Sequence, residues 1–275
     1  MSSFTEKLDP EAMEYFIQVC QKPFSEQAVA FLNAYWAEVQ SAADFIFTVA
    51  WEMIKYADMH SKGIQYLYQY EEGRDLEFDI GLYFYEQLCK FLDDDKNIHW
   101  KRDFPMSQPE MMTSIKRKTE LREKVDVKFS GDISFLEYLL YQYRAVANPK
   151  DFCTRSMTAT EEHPEIRKAR LALEEVNKRI RAYEAEKARL EADSQLPGVK
   201  GLKAKNLLAQ LDSSPLAEEL NKALITAEAA VRIATRKFGG KKCAASGATS
   251  AASSDGAIFW MNRDLQEKQA RYGKK

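Results

Sequence analysis

Asp126-Val127-Lys128-Phe129-Ser130-Gly131-Asp132-Ile133-Ser134-Phe135-Leu136-Glu137 decides how the chain is read. Its spacing is that of an EF-hand calcium loop, where a hard cation gathers about six to eight oxygens and the backbone turns sharply at the centre. Asp126 takes loop position 1, Ser130 position 5 and Gly131 the turn at position 6. Asp132 stands at position 7, which donates its backbone carbonyl, and Ser134 at position 9. Glu137 stands at position 12, where a bidentate carboxylate belongs. Position 3 departs from the pattern: Lys128 supplies no oxygen and brings a positive charge. Only Asp126 and Glu137 remain as side-chain carboxylates. The spacing therefore predicts one Ca2+ site of reduced affinity, or a helix–loop–helix kept for packing alone.

The flanks extend the pattern. Ile115, Leu121 and Val125 suit a helix leading in, and Phe135, Leu136, Leu139, Leu140 and Tyr143 a helix leading out. EF-hands pair through a short β-bridge at position 8, here Ile133, so a second loop is expected upstream. Glu71–Asp79 fits that place with Phe78 at the bridging position, which puts Leu82 at position 12. That loop reads as degenerate and structural. Asp93-Asp94-Asp95 reads as a solvated helix end.

Further out, helical signals dominate. Asp9-Pro10-Glu11 is a cap followed by Pro at the first helical position. Ser25-Glu26 opens a second helix, and Tyr35, Trp36, Phe45, Phe47, Trp51 and Tyr56 recur at helical spacing in a core. Ser107-Gln108-Pro109-Glu110 matches a capping box. In the second half, Ile166, Ala169, Leu173, Val176, Ile180 and Tyr183 form a heptad stripe, broken at Lys187 and resumed at Leu190. Such a stripe suits a coiled coil or an antiparallel helical hairpin. After the Pro197-Gly198 turn comes a short helix, and Ser214-Pro215 starts a long one with Leu216, Leu220, Leu224, Ala227, Val231 and Ala234 on one side. The chain is read as all-α: an EF-hand-like helical domain over 1–150, a helical domain with a long heptad helix over 160–242, a flexible linker over 243–257, and a short tail helix over 258–275.

Composition narrows the function. The net charge of −2 hides a division between residues 1–149, net −9, and residues 150–275, net +7. An acidic half and a basic half suggest cation binding or self-association in one and an acidic partner for the other. Cys20, Cys89, Cys153 and Cys243 are scattered, without a CxxC pair, and read as reduced structural thiols. The N-terminus shows no secretory or transit signal and no stretch is apolar enough to span a bilayer, so a cytoplasmic protein is expected. His60, His99 and His163 are isolated, and no P-loop, GxSxG or dinucleotide-binding pattern occurs, so no enzyme activity is expected.

Several long strings carry a resemblance. Residues 28–39, AVAFLNAYWAEV, 82–91, LYFYEQLCKF, and 133–143, ISFLEYLLYQY, are similar to the calcium-regulated actin-bundling proteins of amoebae. So are 163–183, HPEIRKARLALEEVNKRIRAY, 197–202, PGVKGL, and 260–265, WMNRDL. The resemblance runs nearly end to end. It implies cross-linking of F-actin, inhibited by calcium, in association with the actin cytoskeleton. It also implies a principal actin-contacting region after Pro197 and along the helix near Pro215, with weaker ones in the N-terminal domain and the tail. Actin's acidic surface would then face Lys200, Lys203, Lys205, Lys222, Arg232, Arg236, Lys237, Lys241 and Lys242, with Trp260 and Arg263 from the tail. The tail is either a second contact or a latch on the EF-hand module. A monomer with two sites or a weak homodimer satisfies bundling; neither nucleic acid nor membrane is an expected partner. The alternative is an EF-hand sensor or scaffold whose helical half binds a protein other than actin.

Overall fold

The computed structural model describes residues 7–158, 162–239 and 253–273. Two compact units emerge. Unit 1 comprises residues 1–64, 71–160 and 240–257, and unit 2 comprises 65–70, 161–239 and 258–275.

Unit 1 starts with α1 (Pro10–Cys20), which Asp9 caps by accepting the Ala12 N–H, and α2 (Phe24–Val39). A nearly continuous helical run then contains α3 (Ala43–Phe45) and α4 (Trp51–Ser61). Strand β1 (Asp75–Glu77) leads into α5 (Phe78–Asp93) and α6 (Ile98–Asp103). Then come α7 (Ser114–Glu120), strand β2 (Asp132–Ser134), α8 (Phe135–Gln142) and α9 (Pro149–Met157). Tyr35, Phe45 and Phe47 are buried as the aromatic spacing predicts, whereas Tyr56 is exposed. The acidic run closes α5: Asp94 accepts the Lys96 N–H and Asp93 pairs with Lys101.

β1 and β2 pair antiparallel, and Ile133 faces Leu76, not Phe78. The predicted register was two residues late. Leu76 is buried in the bridge, while Phe78 begins α5 and meets the Arg122 guanidinium. With Leu76 bridging, Ile80 takes the last loop position, and it too has no oxygen to offer. Ser107 caps no helix; its hydroxyl meets the Tyr143 hydroxyl in the interior, and α7 is capped instead by Thr113. Ile115 is exposed, so the incoming helix is anchored by the apolar Leu121 and Val125 and by the buried Arg117 and Glu120.

One side chain ties four backbone segments of unit 1 together. Gln27 is fully buried; its Nε2 donates to the carbonyls of Cys20, Lys22 and Arg74, and its Oε1 accepts the Leu136 N–H. Residues 253–257, expected within a linker, are ordered on α2. The Ser253 and Ala257 N–H groups donate to Asn33, and Gly256 lies so close to Leu32 that a Cβ would come within 2.6 Å of it. The rest of the expected linker, 243–252, lies outside the described residues.

Unit 2 is built on α10 (Pro164–Ser194) and α12 (Pro215–Phe238), joined through α11 (Val199–Ala209). α10 and α12 run antiparallel: Glu165 pairs with Lys237 and the His163 ring packs tilted against Phe238 at one end, while Arg179 pairs with Glu219 further along. The predicted stripes meet, with Ile166, Ala169, Leu173 and Val176 buried on one helix and Leu220, Leu224, Ala227, Val231 and Ala234 on the other. α13 (Asp255–Tyr272) contributes its residues from Ile258 onward, antiparallel to α12 through Asn262–Thr235 and Gln269–Glu228. The same helix runs beside α10, where Tyr272 packs on Tyr183. Replacing Gln27 by Leu strands three carbonyls and an amide N–H in the core, so unit 1 should lose about 3 kcal/mol or more in a denaturant titration.

Candidate functional site

The loop between α7 and α8 takes its shape from two carboxylates. Asp126 Oδ1 accepts the Ser130 N–H at 3.1 Å and Oδ2 the Gly131 N–H at 2.8 Å. The chain can present both amides because Phe129 and Gly131 adopt positive φ, 54° and 84°, a region natural to glycine and costly for phenylalanine. The Phe129 ring is exposed at the tip.

Glu137 has no exposed surface. Its Oε1 accepts the Val127 and Lys128 N–H groups at 2.9 and 3.1 Å. Its Oε2 accepts the Ser134 N–H at 2.9 Å and the Ser134 hydroxyl at 2.8 Å, which completes a capping box at the start of α8. Burial pushes the carboxyl above the usual range, and the Lys128 charge and these donors pull against that shift.

Lys128 folds into the loop. Its side chain is 8% exposed, and Nζ lies 2.8 Å from the Asp132 carbonyl, 3.1 Å from Ser130 Oγ and 3.2 Å from Glu137 Oε2. Burial is the largest single influence and opposes its charge, but Glu137, Cys20 and Asp75 together hold the ammonium above the usual lysine range. The structure thus brings together all five predicted loop residues. Asp126, Ser130, the Asp132 carbonyl and Glu137 surround the loop, while the Ser134 hydroxyl is committed to Glu137 and the α8 cap. These hard oxygens suit calcium in kind, and the exception is position 3. Among the described residues, no group of three or more His, Cys, Asp or Glu is arranged to hold a metal.

The upstream loop is closed from within. Glu72 is fastened at the start of α2 by the Ser25 N–H and hydroxyl, and by the Trp51 indole N–H. Burial raises its carboxyl as well. Burial also raises the thiols of Cys20, Cys89 and Cys153, the last to about 12, which suits a structural role; Cys243 lies outside the described residues.

The predicted basic residues occupy unit 2. Lys200, Lys203 and Lys205 are exposed on α11, together with Val199, Leu202 and Leu207. Lys200 pairs with Asp193 and Lys237 with Glu165, whereas Lys203 and Lys205 have no ion-pair partner among the described residues. On α12, Lys222, Ile225, Ala229, Arg232 and Arg236 follow steps of three and four along one side. They are two residues out of register with the buried stripe, about 200° round the helix. The sequence reading missed the apolar half of this surface, Val199, Leu202 and Ile225, although their position outside the stripe signalled it. Trp260, read with the tail as an actin contact or a latch, is buried, and Arg263 is half-buried. Lys241 and Lys242 lie outside the described residues.

Comparison with known proteins adds identity. Residues 132–272 match the family described as F actin bundling C terminal. The "Calcium-regulated actin-bundling protein" of Dictyostelium discoideum is 66% identical over 274 residues, covering 98% of this chain and 92% of that one. The chain belongs to the F-actin bundling family. The crystal structure of the 34 kDa F-actin bundling protein from the same organism superposes with a TM-score of 0.92 at 66% identity, over 98% of this chain and all of that one. The family match takes in β2, α8, α9 and the α-helices α10, α11, α12 and α13. No helix of the described residues is long and apolar enough to cross a membrane.

Two expectations follow for this member of the family. Glu137→Ala leaves the Lys128 ammonium buried without its counter-charge, so unit 1 should lose about 3–5 kcal/mol, read as a fall in Tm. Gly201 lies where a Cβ would sit 1.9 Å from the Leu196 carbonyl oxygen. Gly201→Ala should therefore force α11 away from the turn and cost about 1–3 kcal/mol by chemical denaturation.

Proposed function

We propose that this protein cross-links actin filaments, that calcium weakens the cross-linking, and that the protein works in the cytoplasm on the actin cytoskeleton. The observation carrying this reading is the open face of α12: Lys222, Ile225, Arg232 and Arg236 lie in a row along one side, opposite the stripe that α12 buries. It occurs in a chain of the F-actin bundling family. A row of cations with an exposed apolar residue in it suits an acidic protein surface, where charge speeds encounter and apolar contact holds it. α11 offers a second such surface through Leu202, Lys203 and Lys205, so a monomer has the two contacts that bundling needs. Asp126, Ser130, the Asp132 carbonyl, Ser134 and Glu137 would hold calcium, which supplies a divalent charge to the loop. The sensor-or-scaffold alternative is not favoured, because the family match lies over the very helices it would assign to another partner.

Co-sedimentation tests the proposal. In chelator the protein should pellet filaments at low centrifugal force, and added calcium should shift them to the high-force pellet only. Failure to pellet filaments at either force would overturn the actin reading. The triple substitution Lys222→Glu, Arg232→Glu, Arg236→Glu should weaken filament binding at least tenfold, about 1.4 kcal/mol or more, with an unchanged circular dichroism spectrum. The parent's affinity should fall steeply with added salt, while the variant's should depend on salt far less.

A further inference from the structure

Lys128 was expected to weaken the calcium loop because it brings a positive charge and no oxygen to position 3. Its placement goes further. An ammonium has three N–H groups and no acceptor. Lys128 Nζ has three acceptors within reach: Ser130 Oγ at 3.1 Å, the Asp132 carbonyl at 2.8 Å and Glu137 Oε2 at 3.2 Å. Those oxygens stand at loop positions 5, 7 and 12, so they are the ones an EF-hand turns toward its ion. The side chain is 8% exposed and the facing carboxylate not at all, so solvent screens the pair weakly.

We propose that Lys128 is a tethered cation that occupies the loop in place of calcium and sets the calcium concentration at which this protein responds. The inference rests on the reading that this loop is the calcium-responsive element. The ammonium must release Glu137, Ser130 and the Asp132 carbonyl before those oxygens are free for a metal. Its local concentration is fixed by the chain, and the energy of the buried pair is subtracted from any gain on metal binding. The loop is also kept in shape without metal: the Lys128 charge offsets Glu137, and the Val127 and Lys128 N–H groups remain on Oε1. Calcium therefore acts on this protein as a competitor of its own side chain, and its threshold lies above that of a loop with an uncharged residue at position 3.

Two substitutions separate competition from a missing ligand. Lys128→Met removes the charge, keeps much of the length and adds no oxygen, whereas Lys128→Asn adds an oxygen. Calorimetric titration of the full chain with calcium chloride, after chelator treatment, should show Lys128→Met binding at least tenfold more tightly than the parent, and Lys128→Asn more tightly still. Lys128→Met binding no better than the parent would overturn the proposal, whatever Lys128→Asn does. Should the methionine variant fail to fold, the parent labelled with 15N-lysine decides instead. The Lys128 ammonium should give a slowly exchanging side-chain resonance that saturating calcium abolishes. An ammonium exchanging as fast as those of exposed lysines would overturn the proposal. Neither readout involves filaments, so loss of pelleting in chelator would sink the bundling reading and leave the titration to judge the ammonium by itself.

Discussion

A carboxylate with no exposed surface has to find its counter-charge and its donors inside the protein, and unit 1 is organised round that demand at Glu137. The Val127 and Lys128 amides hold the front of the loop to it, Ser134 holds the start of α8, and the Lys128 ammonium supplies the charge. Because Ser134 is fixed there, Ile133 is aimed at Leu76, and the β-bridge sets where α5 and α8 begin. Phe84, Phe135 and Tyr138 can then pack edge and face in the core behind the bridge. Glu72 plays the parallel part at the upstream loop, with Ser25 and Trp51 as donors. Both of the bridged loops thus stand on internal hydrogen bonds.

Unit 2 depends on a different interaction. Its helices meet along stripes of leucine, valine and alanine, and the small residues Ala227, Ala230 and Ala234 allow close approach on α12. Exposed pairs such as Arg170–Glu174 and Arg179–Glu175 add about 0.3–0.5 kcal/mol each at most, so apolar contact governs the packing. Burial uses one side of α12 only, which leaves the cationic side open for a partner. The buried-carboxylate loop and the open cationic face therefore lie in separate units with separate sources of stability.

Much of this was legible in the sequence, and the failures are instructive. The helix–loop–helix around Asp126–Glu137 and the stripes of α10 and α12 follow from local spacing, which is why the structure has them at the residues expected. The bridge partner was misplaced because Leu76 and Phe78 are both apolar and alternate in the same sense; only the packing of α5 distinguishes them. Ser107 looked like a cap because its actual partner, Tyr143, is 36 residues away. Trp260 looked like an actin contact or a latch in the tail, yet it is buried in the structure. At Lys128, residue type announced a missing oxygen, but the return of the long side chain to three oxygens of its own loop is a three-dimensional fact.

The antiparallel course of α10 and α12 has a mechanical consequence. α10 has 31 residues, about 46 Å of helix, and the His163 ring packs against Phe238 where α10 begins and α12 ends. A pull transmitted through the chain enters and leaves this pair at one end, and it peels the helices apart contact by contact, with Glu165–Lys237 loaded first. A load applied across the open face of α12 instead shears the whole stripe at once, so the pair yields easily along the chain and resists strongly across it.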